Sequence, residues 1–149
     1  DTTGPDIIKA MSIELWLDYL GIMLDSKKAD GKSYVINLKV PDIGEKYVVE
    51  LSNGTLTNIK DFQSKNSDLT ITIDRSDLEQ TMMGNVRMVK QIEDGVAKAE
   101  GDTSIVSDLA SMMVNFDLGF EILPGTVSNP ESKEKLPFAQ YELADTSGG

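Results

Sequence analysis

The chain contains no histidine and no cysteine. Without imidazole the usual zinc ligand, the commonest general base and any Ser-His triad are missing. Without thiols there are no disulfides, thiolate metal sites or Cys nucleophiles, although this suits a reducing or an oxidising compartment equally. No apolar run approaches the roughly 20 residues needed to cross a bilayer as a helix. Basic residues are scarce: 14 Lys+Arg face 25 Asp+Glu, for a net charge of −11. Such a field repels phosphate backbones and anionic membranes, which argues against a nucleic-acid partner. Nucleotide loops, nucleophile elbows and EF-hand loops are also missing. Asp74, Asp77 and Glu79 cluster, as do Asp117 and Glu121, but helix capping accounts for the first group better than a metal does. No metal and no cofactor is expected.

What is present is patterning for one domain. At 149 residues with 40% hydrophobic and 26% charged residues, the chain is long enough to bury a real core. The start at Asp1 leads to the expectation of a processed product or an excised domain, with any signal peptide outside it. Pro5 suits a first helical position, with Thr3 or Gly4 as cap. In the opening helix, Glu14, Asp18, Gly21 and Asp25 form one narrow polar stripe. The rest (Ile13, Leu15, Trp16, Leu17, Tyr19, Leu20, Ile22, Met23 and Leu24) needs cover. Later helices of the same chain, a ligand or another domain would each supply it.

Tyr34–Val40 alternates with period two, and Tyr47–Ser52 and Thr55–Ile59 flank Asn53-Gly54. Asn-Gly between strands predicts a type I′ hairpin that pairs Leu51 with Leu56 and Val48 with Ile59. A polar connector, 60–68, leads to a strand with Leu69, Ile71 and Ile73 on one side. A helix follows, its first turn capped through the pair Asp74 and Asp77 or the pair Ser76 and Glu79, and it stops at Gly84. A second short helix should turn Val86, Val89 and Ile92 inward and stop at Gly95, before a strand over 96–100. A last helix carries Ile105, Leu109, Met112 and Met113 on one face. Phe116, Leu118, Phe120 and Ile122 alternate in an extended segment. From Pro124 the composition turns to linker material. The prediction is an α+β domain over 1–125 and a flexible tail over 126–149.

Thr70-Ile71, Asp77-Leu78, Gly84 and Glu100-Gly101-Asp102, together with a Met-rich last helix, resemble the sterol carrier protein 2 (SCP2) family. The strings TTGPDIIKAMSIELWLDYLGI, LSNGTLTNIK and MMVNFDLGFEILPGT are similar to one branch of it, the C-terminal domain of bacterial alkyl sulfatases, which hydrolyse detergents such as dodecyl sulfate. The resemblance implies an SCP2-like fold, a five-stranded, mostly antiparallel sheet covered on one face by helices. It also implies that a separate metallo-β-lactamase-like domain, holding zinc through histidines, cleaves the ester, and that the protein is periplasmic or secreted. This chain would then be a non-catalytic accessory domain that holds an alkyl chain, fatty acid or detergent. Seven methionines suit a cavity with variable contents, as well as ordinary core filling. Periodicity selects Trp16, Leu20, Ile71, Ile73, Leu78, Met82, Leu109, Met112 and Phe116 as pocket lining. The alternative is an interaction or homodimerisation module with a solid core and no ligand.

Overall fold

A computed structural model of the chain describes residues 4–114 and the pair Glu142–Leu143. The extended segment expected at Phe116–Ile122 lies outside the described residues, as does the tail apart from that pair.

The opening helix is two helices, α1 (Gly4–Ala10) and α2 (Ile13–Met23). Ser12 breaks it. Its backbone is extended (φ −74°, ψ 163°), and its hydroxyl accepts the Leu15 N–H at 3.1 Å, the bond expected of an N-cap. A serine offers the backbone more here than in a helix interior.

Strands β1 (Tyr34–Val40), β2 (Glu45–Ser52) and β3 (Thr55–Lys60) form the expected meander. Asn53 and Gly54 take φ of 55° and 74°, as a type I′ turn requires, and the pairs Leu51–Leu56 and Val48–Ile59 are as predicted. After a two-residue strand β4 (Phe62–Gln63), β5 (Leu69–Thr72) inserts beside β1 in parallel. Helices α3 (Arg75–Met82) and α4 (Met88–Glu93) precede β6 (Lys98–Gly101), which pairs antiparallel with β5; α5 (Ser104–Ser111) follows. The sheet order is β3-β2-β1-β5-β6, five strands with a single parallel pair. Glu142–Leu143 forms β7, antiparallel to β4.

Three local expectations are corrected by the structure. Asp74 occupies the N-cap position of α3, but neither predicted pair supplies the bond at its first N–H: Asp42, from the β1–β2 turn, accepts the Arg75 N–H at 2.8 Å. In α4 the buried residue is Gln91, whose amide donates to the Asp77 carbonyl at 2.8 Å and to Thr81 Oγ1 at 2.6 Å. Val86 and Val89 stay half-buried. The last strand runs 98–101 rather than 96–100, leaving Val96 exposed and Ala97 buried. Gly84 does stop α3: it has φ 82°, with Gly84 N–H bonded to Thr81 and Asn85 N–H to Gln80, a Schellman closure.

The sheet has two unequal faces. Ile36, Leu38, Val40, Tyr47, Val49, Leu51, Leu69 and Ile71 join the helices in the main core. On the opposite face Val35, Val48, Ile59 and Phe62 form a small cluster. Asn37 fixes the connector there, accepting the Ser64 N–H at 2.8 Å and donating to its carbonyl at 2.9 Å.

Candidate apolar ligand site

The helices are held over the sheet by polar contacts at their ends, and these frame the apolar interior. Trp16 is buried, and its indole N–H donates to the Ile8 carbonyl at 3.1 Å. The Arg75 guanidinium lies over the Trp16 ring, 4.4 Å from its centroid, and Nη2 donates to the Met11 carbonyl at 2.6 Å and the Lys9 carbonyl at 3.2 Å. One side chain of α3 thereby caps the carbonyl end of α1 and covers the indole of α2.

The polar stripe of α2 faces the edge strand rather than solvent. Asp18 accepts from Asn58 at 2.8 Å, and a Cβ on Gly21 would lie 2.9 Å from the Leu56 carbonyl oxygen. That turns Leu15 and Ile22 outward, 45% and 48% exposed. The apolar arc is therefore covered only in part.

At the far end, the exit of α2 meets the exit of α5. Asp25 N–H donates to the Met112 carbonyl at 2.8 Å, and Val114 N–H to the Met23 carbonyl at 2.8 Å. Asp108 on α5 accepts Lys32 Nζ at 2.9 and 3.0 Å and also the Tyr34 hydroxyl of β1. The Tyr34 bond, then the Lys32 bond, holds the Asp108 carboxyl below its ordinary range, while the same contact pushes the Tyr34 phenol up. Tyr47 is pushed up further, first by burial and then by its 2.7 Å bond to Glu45. The described residues contain no metal-binding group of acidic side chains.

Of the nine predicted lining residues, Trp16, Ile71, Ile73, Leu78, Met82 and Met112 are buried in one continuous cluster, and Leu20 and Leu109 pack half-buried against it. Phe116 lies outside the described residues. The cluster holds more than those nine. Ile8, Ile13, Tyr47 and Ile105 are at least as deeply buried, and their strand or helix periodicity was a usable signal. All seven methionines join it: Met82, Met83, Met112 and Met113 are buried, while Met11, Met23 and Met88 pack half-buried at its rim.

This combination, a five-stranded sheet with one parallel pair and an apolar helical layer on one face, is the architecture of the SCP2 class. A solved sterol carrier protein 2 superposes with a TM-score of 0.53 at 16% identity, over 72% of this chain and 96% of that one. The family described as alkyl sulfatase C-terminal matches residues 1–125, and the chain belongs to that family. A linear primary-alkylsulfatase of Pseudomonas sp. is 35% identical over 123 residues, which is 83% of this chain and 18% of that protein. The solved stereoselective inverting sec-alkylsulfatase from Pseudomonas sp. superposes with a TM-score of 0.68 at 24% identity, over 76% of this chain and 18% of that chain. The chain thus spans less than a fifth of these relatives, and that share fits an accessory part.

Proposed function

We propose that this domain holds the aliphatic tail of an alkyl sulfate while a separate zinc domain of metallo-β-lactamase type cleaves the sulfate ester. The observation that carries the reading is the gathering of all seven methionines into one apolar cluster. Unbranched thioether side chains repack at low cost, so such a layer can part to admit a flexible chain. Trp16, Leu20, Ile71, Ile73, Leu78, Met82, Leu109, Met112 and Phe116 are the proposed lining. Family membership supports an alkyl ester as the substrate of the whole protein. The domain contributes no catalytic group; its part is to bury methylenes and so hold the ester in reach of the zinc.

The test is a series of alkyl sulfates of rising chain length, titrated against the chain and read by the emission of Trp16. Each added methylene should tighten binding by about 0.8 kcal/mol, roughly fourfold. A flat series, or emission indifferent to every member, overturns the reading.

A second reading, an interaction or dimerisation module with no ligand, is supported by the outward Leu15 and Ile22 on α2. Light scattering during the same titration separates the two. A monomer that binds alkyl chains supports the first, and a dimer that binds none supports the second.

A further inference from the structure

Strand β6 is last in the sheet order, so one of its edges has no neighbour among the described strands. The phase of its ladder to β5 fixes which backbone groups face that way. Asp102 N–H donates to the Asp68 carbonyl at 2.9 Å, and the register continues with Glu100 opposite Thr70 and Lys98 opposite Thr72. Bonded and unbonded pairs alternate along an antiparallel ladder, so Lys98, Glu100 and Asp102 turn their backbone groups to β5. The N–H and C=O of Ala99, the C=O of Ala97 and the N–H of Gly101 therefore point outward. The Ala97 N–H is used within the fold, donating to the Gln91 carbonyl at 3.0 Å. Lys98, Glu100 and Gly101 are exposed and Ala99 is half-buried. An open edge of this kind is a template for another strand.

The charges on this edge select the strand that fits it. Ala99 stands opposite Ile71 and packs on the main core, so Lys98 and Glu100 share the other face of the sheet. Neither forms an ion pair among the described residues. Two copies of β6 set antiparallel about Ala99 place Lys98 of each opposite Glu100 of the other. A register centred on Lys98 sets lysine against lysine, and one centred on Glu100 sets glutamate against glutamate. Opposite charges directly across a ladder stabilise it and like charges destabilise it. Of these three registers only the one about Ala99 is self-complementary.

We propose that the β6 edge is a self-association surface, on which a second copy of this chain pairs its own β6 antiparallel about a two-fold axis beside Ala99. The two Ala99 residues exchange both N–H···O=C bonds, and each Gly101 N–H donates to the Ala97 carbonyl of the other copy. Lys98 and Glu100 meet across the unbonded positions, where facing side chains come closest. The contact is isologous, the same patch on both copies. A strand of four residues buries far less than a standard interface, so the dimer is weak, with a dissociation constant on the order of 0.1–1 mM. The net charge of −11 on each copy opposes approach, and salt screens that long-range field. The edge lies at the opposite end of the sheet from β3, the strand under α2, and so is distinct from the Leu15 and Ile22 face. It does not rest on the alkyl-binding reading.

The experiment is sedimentation of the 149-residue chain over a concentration series reaching about 1 mM, at an ionic strength of about 0.15 M. Backbone amide shifts are recorded on the same samples. The expected result is a concentration-dependent rise to dimer, with the amides of Ala99 and Gly101 among those that shift. Lys98→Glu sets glutamates against each other and Glu100→Lys sets lysines against each other, so each variant should self-associate at least about tenfold more weakly. A simple net-charge effect would instead strengthen Glu100→Lys. Mixed one to one, the two variants restore both opposite-charge pairs and should recover wild-type association. A monomer throughout the series, with no shift at Ala99 or Gly101, overturns the proposal. A dimer indifferent to both charge changes also overturns it, and its loss in Leu15→Glu/Ile22→Glu assigns the contact to α2. Ala99 and Gly101 amides protected equally at every concentration assign the edge to a segment of the same chain and overturn it too. The far-UV spectrum of each variant checks its fold, and the wild-type series decides the matter even if one variant unfolds.

Discussion

Gly101 shows how little freedom single positions have in this fold. It closes β6 at φ 108°, and a Cβ there would sit 2.4 Å from the Asp68 carbonyl oxygen. Both the left-handed backbone and the close approach demand glycine. Gly101→Ala is expected to lower the stability of the chain by about 3 kcal/mol, the sum of backbone strain and a displaced strand. A urea midpoint within error of wild type would show that β5 and β6 separate without penalty. Arg75 works differently. Its guanidinium satisfies two carbonyls at the end of α1 and covers Trp16, so it joins three helices by geometry rather than by net charge.

The elements are short, and their placement depends on contacts between their ends. The last helix, α5, is tied to the start of β1 through Asp108, which accepts from both Lys32 and Tyr34. Because the folded Asp108 carboxyl lies below its ordinary value, that contact stabilises the fold fully above the unfolded value, about 3.9. It is lost as pH falls through the lowered folded value. Amide protection along Ser104–Ser111, measured relative to the intrinsic exchange rate at each pH, should therefore fall in wild type as the solution is taken below about pH 4. In Asp108→Asn the exchange should be fast at neutral pH and lose most of that acid dependence. An unchanged acid response in the variant would place the relevant carboxylate elsewhere. The same helix ends at Met112–Val114 against Met23–Asp25, where backbone bonds replace side-chain ties.

At the scale of the molecule, the sheet divides two tasks. One face buries an apolar layer, and the other carries the paired Lys39 and Lys46 and a minor cluster around Val48 and Ile59. Among the described residues, neither face brings together a nucleophile, a base and an orienting group. The purified chain is accordingly expected to release no sulfate from dodecyl sulfate above the uncatalysed background; release by this chain, free of any longer enzyme, would require a catalytic role for it. The chain's share of its relatives, 18% of the primary-alkylsulfatase, leaves most of such a protein to supply the chemistry.

What is encoded locally was legible from the chain alone. Alternation placed Leu69, Ile71 and Ile73 in the core, Asn53-Gly54 set the hairpin register, and Gly84 and Gly95 ended their helices. Each of these follows from steric rules acting over a few residues. Family membership was legible too, because strings as long as LSNGTLTNIK are specific enough to carry a resemblance, and the family match covers residues 1–125. The contacts that order the domain were not. Asp42 caps a helix 33 residues away, Gln91 is buried because Thr81 and Asp77 meet it, and the stripe through Asp18 and Gly21 points at β3 because Asn58 and the Leu56 carbonyl receive it. Lys98 shares a rung with Lys39 only because β5 inserts between β1 and β6. Period and propensity assign a residue to a face, but its partner on that face is chosen by strands and helices distant in the chain.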